Sequence, residues 1–171
     1  PGSFISAMQS VTNVFPGKPK WQTEYSGGDL VELASLIHDA LTVEEVTAYL
    51  YWDLFWDRGG LVAIEFPWDK SKWTNAPPGS TTQSHGYWLT DRYFSLKHFS
   101  YVTDPGFMRV QVALNNSNVL ASAFVSPDNS RLVAILINKQ TNNSAAVTLN
   151  PLSFGIRTST VYQSAGTNRF T

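Results

Sequence analysis

One short stretch carries the residues best suited to chemistry. In Lys20-Trp21-Gln22-Thr23-Glu24-Tyr25-Ser26 a single acid stands among aromatic neighbours, after Pro-Gly-Lys-Pro and before Gly27-Gly28. The pattern predicts a strand with a carboxylate at its C-terminal end. In an α/β barrel that end faces the active-site mouth, where side chains from successive strands converge. A carboxylate flanked by Trp and Tyr suits glycoside chemistry. The ring faces pack on sugars, and the carboxylate can attack or stabilise an anomeric carbon. The plainer reading of the same residues is an edge-strand or loop acid, and the stretch by itself does not separate the two.

The elements that must position Glu24 are readable on either side of it. Ile5, Met8, Val11/Thr12 and Phe15 recur at steps of three and four, predicting a helix over Phe4–Phe15 that Pro16-Gly17 ends. Pro1-Gly2-Ser3 resemble a cloning remnant and are set aside. Asp29 with Glu32 three later makes a capping-box signature, and Leu30, Leu33, Ala34, Ile37 and Leu41 form the apolar stripe of a second helix. His38 lies on that helix and reads as structural. Thr42-Val43-Glu44-Glu45 reads as a polar break. The run from Val46 to Trp56 is nearly continuous in β-branched, aromatic and aliphatic residues, as a strand buried on both faces requires. Helix, strand, helix, strand is the α/β order.

From Asp57 to Thr90 the chain is rich in Gly, Pro, Ser and Trp, an excursion long enough to be functional or disordered. Trp68, Trp73, Tyr87 and Trp88 argue against disorder and for a loop folded over a cleft. Asp91 to Val102 predicts a third helix, stopped by Asp104-Pro105-Gly106. Composition then changes. Alternating strands are predicted over Val110–Leu114, Val119–Val125, Arg131–Asn138, Ala145–Leu149 and Thr158–Tyr162, separated by Asn/Ser/Pro/Asp/Gly turns. That spacing indicates an antiparallel β-sandwich. Residues 1–104 are therefore expected to form one domain and 105–171 a second. Asn115 and Asn142 head N-x-S sequons in the turns of the latter.

Composition bounds the function. The 171 residues are 43% hydrophobic and 15% charged, enough for a sizeable core. A net charge of −1, with Lys and Arg scattered, carries no footprint for nucleic acid or an anionic membrane surface. No apolar run approaches the roughly 20 residues of a membrane span. With no cysteine there is no disulfide framework, thiolate metal site or thiol nucleophile. Six Trp, seven Tyr and ten Phe make 13% of the chain; some belong to the core, and a surplus near polar loops is what a carbohydrate cleft would look like. Asp53, Asp57 and Glu65 resemble a calcium or acid/base cluster, but loop acids are commonly solvated; neither a metal nor an organic cofactor is implied.

Three blocks in order carry a family pattern: Trp21-Gln22-Thr23-Glu24-Tyr25, then Ala48-Tyr49-Leu50-Tyr51-Trp52 running to Gly60-Leu61, then Tyr93-Phe94-Ser95-Leu96-Lys97-His98-Phe99-Ser100 with Pro105-Gly106. With a sandwich following, the sequence resembles, colinearly from about Phe4 to the end, the C-terminal part of glycoside hydrolase family 30. That family includes endo-xylanases acting on glucuronoxylan. The resemblance implies the last portion of a (β/α)8 barrel over 1–104 followed by an antiparallel β-sandwich side domain over 105–171 that lacks its closing strands, α/β plus all-β in class. It implies a retaining mechanism with Glu24 as nucleophile on the seventh barrel strand. Trp52, Tyr25, Trp56 and Arg58 are then the substrate-binding residues of a cleft for a xylan-type polysaccharide or its oligosaccharides, in a secreted protein. The family's acid/base Glu, in an Asn-Glu-Pro-like motif, has no match here. The resemblance thus makes upstream barrel segments, or self-association, a required partner. Glucuronoxylan-specific members grip the acidic branch through an arginine-bearing stretch. Here Phe55 and Trp56 occupy the basic positions and only Arg58 remains, so a neutral xylan or other β-glycan fits as well. The competing class is a non-catalytic carbohydrate-binding or scaffold module.

Overall fold

The computed structural model describes residues 2–24, 27–56, 60–64, 81–82, 87–140, 142–152 and 154–171. The chain divides into two compact units, Pro1–Leu96 and Lys97–Thr171.

The first unit begins with helix α1, Gly2–Val14, which includes Gly2 and Ser3. Strand β1, Trp21–Gln22, is shorter than the predicted run and stops two residues before Glu24. Helix α2, Leu30–Asp39, starts as the sequence predicts. Asp29 Oδ1 accepts from the N–H groups of Val31 (2.9 Å) and Glu32 (3.0 Å), and Glu32 Oε2 accepts from the Asp29 N–H (3.1 Å). Three of the orphan donors at the helix start are thereby satisfied. Gly28, at φ +75°, sits where a Cβ would fall 2.6 Å from Glu32 Cβ, so the turn into this cap needs glycine.

Thr42-Val43-Glu44 does not break the helix. The chain continues as a π-helical segment, Ala40–Glu44, and ends at Glu45 in the left-handed region. Tertiary contact overrides the polar look of these residues. Met8, Ala40 and Val46 form a buried cluster against which Leu41, Val43 and Tyr49 pack. The Thr42 hydroxyl donates to the His38 carbonyl at 2.8 Å. From α1, the Thr12 hydroxyl reaches the Glu44 carbonyl at 2.7 Å. A widened turn keeps that apolar set together.

The run from Val46 to Trp56 is likewise not one buried strand. Strand β2, Ala48–Tyr49, pairs in parallel with β1 in the register Trp21↔Ala48 and Gln22↔Tyr49. Leu50, Trp52, Leu54, Phe55 and Trp56 are exposed. The Trp52–Asp53 peptide is cis. Beyond it, the Asp53 and Leu54 carbonyls accept from the N–H groups of Leu61 (2.9 Å) and Val62 (2.8 Å), which draws the chain into a second sheet. Its strands β3 (Phe55–Trp56), β4 (Val62–Ile64), β5 (Thr81–Thr82) and β6 (Tyr87–Leu89) run in the order β3-β4-β6-β5. The β3/β4 pair is parallel and the others antiparallel. The predicted irregular excursion thus contains paired strands, while Asp57, Arg58, Glu65, Trp68 and Trp73 lie outside the described residues.

Thr90 joins this sheet to helix α3, Asp91–Ser100. Its buried hydroxyl lies 2.9 Å from the Leu61 carbonyl and 3.0 Å from that of Gly60, and its N–H donates to Leu61 at 3.0 Å. One hydroxyl proton serves two acceptors, a bifurcated arrangement that pins the turn at both residues. On α3, Phe94, Ser95 and Phe99 are buried.

In the second unit, β7 (Met108–Val110), β8 (Val119–Val125) and β9 (Leu132–Asn138) form an antiparallel sheet in chain order. Val119, Ala121, Ala123 and Phe124 with Ile135 and Ile137 are its buried apolar side chains, and Ser122 is buried among them on β8. The β8/β9 turn is held by Asp128, which accepts from the Ser126 (2.6 Å) and Ser130 (2.8 Å) hydroxyls. These bonds favour the carboxylate and bring its pKa down to about 2. Residues 111–114, 145–149 and 158–162 are not strands. Leu149 and Val161 are exposed, so alternation there lacks the buried face that would drive pairing.

Candidate functional site

The β1/β2 ladder decides what surrounds Glu24. The Lys20 carbonyl accepts from the Thr47 N–H and the Gln22 carbonyl from the Leu50 N–H, each at 2.8 Å. Because the two strands are parallel, both leave the ladder at their C-terminal ends on the same side. Glu24 follows on one, two residues beyond the last registered pair, and Tyr51 and Trp52 follow on the other. Adjacent strands lie about 4.8 Å apart. The ladder therefore delivers an acid and an indole to one end of the unit. Glu24 is exposed, and Trp52 keeps 60% of its surface in solvent. Trp56 lies on β3, in the other sheet, and is 58% exposed. Tyr25 and Arg58 fall outside the described residues.

Gly60 packs closely against the Trp56 backbone. A Cβ on Gly60 would come 2.7 Å from the Trp56 backbone nitrogen, so a larger residue would push that strand away.

Sequence reasoning passed over two polar residues near this end. Tyr51 looked like one more member of a buried strand, yet its hydroxyl meets the N–H of Gly27, three residues past Glu24. Burial raises its phenol above the ordinary value; the Arg92 charge and the Gly27 bond oppose the rise, and Asp53 adds to it. Arg92 is the second residue of α3. For Tyr51 the sequence signal was a polar atom inside an otherwise apolar run.

On the opposite side of the ladder, Lys20 Nζ donates to the Thr12 hydroxyl at 3.2 Å and lies 3.9 Å from Glu45. Burial raises the neighbouring Glu44 carboxyl and the Lys20 charge opposes this. These contacts brace α1 against the ladder. Among the described residues no group of three or more His, Cys, Asp or Glu side chains is placed to hold a metal ion. No helix among them is long and apolar enough to cross a membrane. Beyond the C-terminal end of the β1/β2 ladder stand one exposed carboxylate, Glu24, and one exposed indole, Trp52.

Residues 106–167 match the model of the glycosyl hydrolase family 30 β-sandwich domain. Among solved structures, the chain is similar to a family 30 endoxylanase from Clostridium papyrosolvens, with 24% identity over 80% of this chain and 31% of that one (TM-score 0.54). It is similar to a family 30 subfamily 8 xylanase from Clostridium acetobutylicum, with 26% identity over 90% of this chain and 39% of that one (TM-score 0.55). A conserved exported protein from Bacteroides fragilis shares the fold at 14% identity, over 84% of this chain and 34% of that one (TM-score 0.66). No curated protein matches the chain. The 171 residues span about a third of the length of these structures.

Proposed function

We propose that this chain is the C-terminal part of a family 30 glycoside hydrolase, a reading supported by the match of residues 106–167 and by the likeness to family 30 xylanases, and that it contributes the nucleophile and part of the cleft of a retaining enzyme. The substrate class is a β-1,4-xylan-type polysaccharide or its oligosaccharides. The observation that carries the reading is the placement of Glu24 and Trp52 at the shared C-terminal end of a parallel strand pair.

In this reading Glu24 attacks the anomeric carbon while a second carboxyl group protonates the departing oxygen. The same second group then takes a proton from water, which releases the sugar from Glu24 with retained configuration. That group stands roughly 5 Å from the nucleophile in retaining enzymes. It comes from polypeptide other than these residues, either upstream barrel segments or an associated chain. Trp52 and Trp56, with Tyr25, present ring faces to the sugar, and Arg58 is the residue left to meet an acidic branch. Passage to the cell exterior follows from a polymeric substrate, and the exported Bacteroides fragilis neighbour supports it.

The test is a mechanism-based label applied to the protein together with its upstream barrel segments. A 2-fluoro xyloside slows breakdown of the covalent intermediate, and digestion should place the label on the peptide containing Glu24. Glu24→Gln should abolish both labelling and turnover while leaving the thermal melt in place. A label on another carboxylate, or near-normal kcat in the variant, removes Glu24 from the role. Sugar binding without any turnover in the complete protein would favour the binding-module reading.

A further inference from the structure

Two asparagines of the second unit have no part in the catalytic reading. Asn115-Asn116-Ser117 and Asn142-Asn143-Ser144 each match the N-x-S acceptor pattern. A sequon is common by chance, and its placement in the fold is what distinguishes these two. Val119 opens β8 opposite Asn138, which closes β9, and the Asn118 carbonyl accepts from the Lys139 N–H at 2.9 Å. The segment entering β8 and the segment leaving β9 therefore lie at one end of the hairpin. All six sequon residues are exposed.

The asparagines at this end divide by task. Asn116 Oδ1 accepts from the Asn118 N–H at 2.9 Å, an Asx turn that sets the entry to β8. Asn138 donates to the Asn143 carbonyl at 2.6 Å and accepts from the Gln140 N–H at 3.1 Å. Among the described residues, the side chains of Asn115 and Asn142 make no such bond. A sugar on either amide would break nothing in the fold. Val112 and Leu114 precede the first sequon and Val147 and Leu149 follow the second, all of them exposed aliphatic side chains.

We propose that Asn115 and Asn142 are N-glycosylation sites, and that their glycans stand together at this end of the hairpin and cover the aliphatic side chains beside them. The donor class is an oligosaccharide carried on a polyprenyl pyrophosphate. The amide Nδ2 forms a bond to the anomeric carbon of the first sugar and loses a proton to the transferase base. The bond from that carbon to the pyrophosphate oxygen breaks, and polyprenyl pyrophosphate leaves with the electron pair. The proposal needs passage through a compartment holding the transferase and is independent of the role given to Glu24.

The experiment is intact-mass analysis of the whole chain secreted from a eukaryotic cell behind an added leader, before and after peptide-N-glycosidase. Two mass steps are expected, each leaving an Asp in place of the modified Asn. One step should vanish in Asn115→Gln and the other in Asn142→Gln. Ser117→Ala and Ser144→Ala, which spare the asparagines, should erase the same steps and guard against a folding artefact. An unchanged mass overturns the proposal, as does a step that survives in the double variant; a single step overturns it for the asparagine left bare. Removing the glycans should lower the concentration at which the protein begins to associate several-fold. An unchanged threshold overturns the covering role.

Discussion

The Ser95 hydroxyl donates to the Leu30 carbonyl at 2.6 Å, linking the middle of α3 to the first residue of α2. Ser95 is fully buried, and its other acceptor, the Asp91 carbonyl within α3, is farther away at 3.1 Å. The single proton therefore goes to the long-range partner. Ser95→Ala should cost about 1 kcal/mol, the usual net worth of one such bond. In a chain of this size that lowers Tm by about 2–4 °C. Denaturant unfolding checks it: the midpoint should fall with the m-value unchanged. A midpoint that does not move would mean the bond contributes nothing.

Trp52 and Trp56 hold more than half their surface in solvent. A buried Trp→Ala change costs about 3–5 kcal/mol through the cavity it leaves. Truncating either of these should cost far less than that, while weakening xylo-oligosaccharide binding in the complete protein. Thermal melts beside titrations separate the outcomes. A large fall in Tm with unchanged affinity per folded molecule would make the residue a packing residue.

His98 gives a pH dependence with a definite sign. Its Nε2 shares a hydrogen bond of 2.8 Å with the Ser164 hydroxyl, whose oxygen accepts from the Phe170 N–H at 3.0 Å. The Phe170 ring packs on the imidazole at 4.9 Å. Burial, and after it the Lys97 charge, holds the imidazole below its ordinary value of 6.5. The unfolded chain therefore takes up the proton first as the solution is acidified. Stability is complete above 6.5, declines as pH falls below it, and levels off beneath the folded value. The difference in stability between the parent and His98→Gln, followed by chemical denaturation across this window, should show that slope. A flat difference would remove His98 from the titration.

How far the fold was legible depended on whether the deciding contact was local. The α2 cap was legible because Asp29 and Glu32 bond to their own first turn, and the β8/β9 hairpin because alternation and turn residues agree. The π-helical extension was not, because Met8 and Thr12 hold it from a different helix. The Val46–Trp56 run misled because hydrophobicity records what a residue tolerates, whereas its partner strand settles where it pairs. The bonds from Leu61 and Val62 back to Asp53 and Leu54 leave no local mark. At the candidate site, Glu24 and Trp52 were legible as candidates from residue type. The Tyr51–Gly27 contact was not, since it depends on how two strand ends lie side by side.

The three-stranded sheet of the second unit has a consequence in isotope exchange. Strand β8 is bordered on both sides, whereas β7 and β9 each pair with β8 alone among the described residues. Along an edge strand only alternate amides point at a partner. In deuterated solvent the amides of Val119–Val125 should retain protons longest where both neighbours reach. Those of Leu132–Asn138 should split into a slow set and a fast set at every second residue. Such a period-two pattern would read out, amide by amide, which side of β9 is open to a further strand.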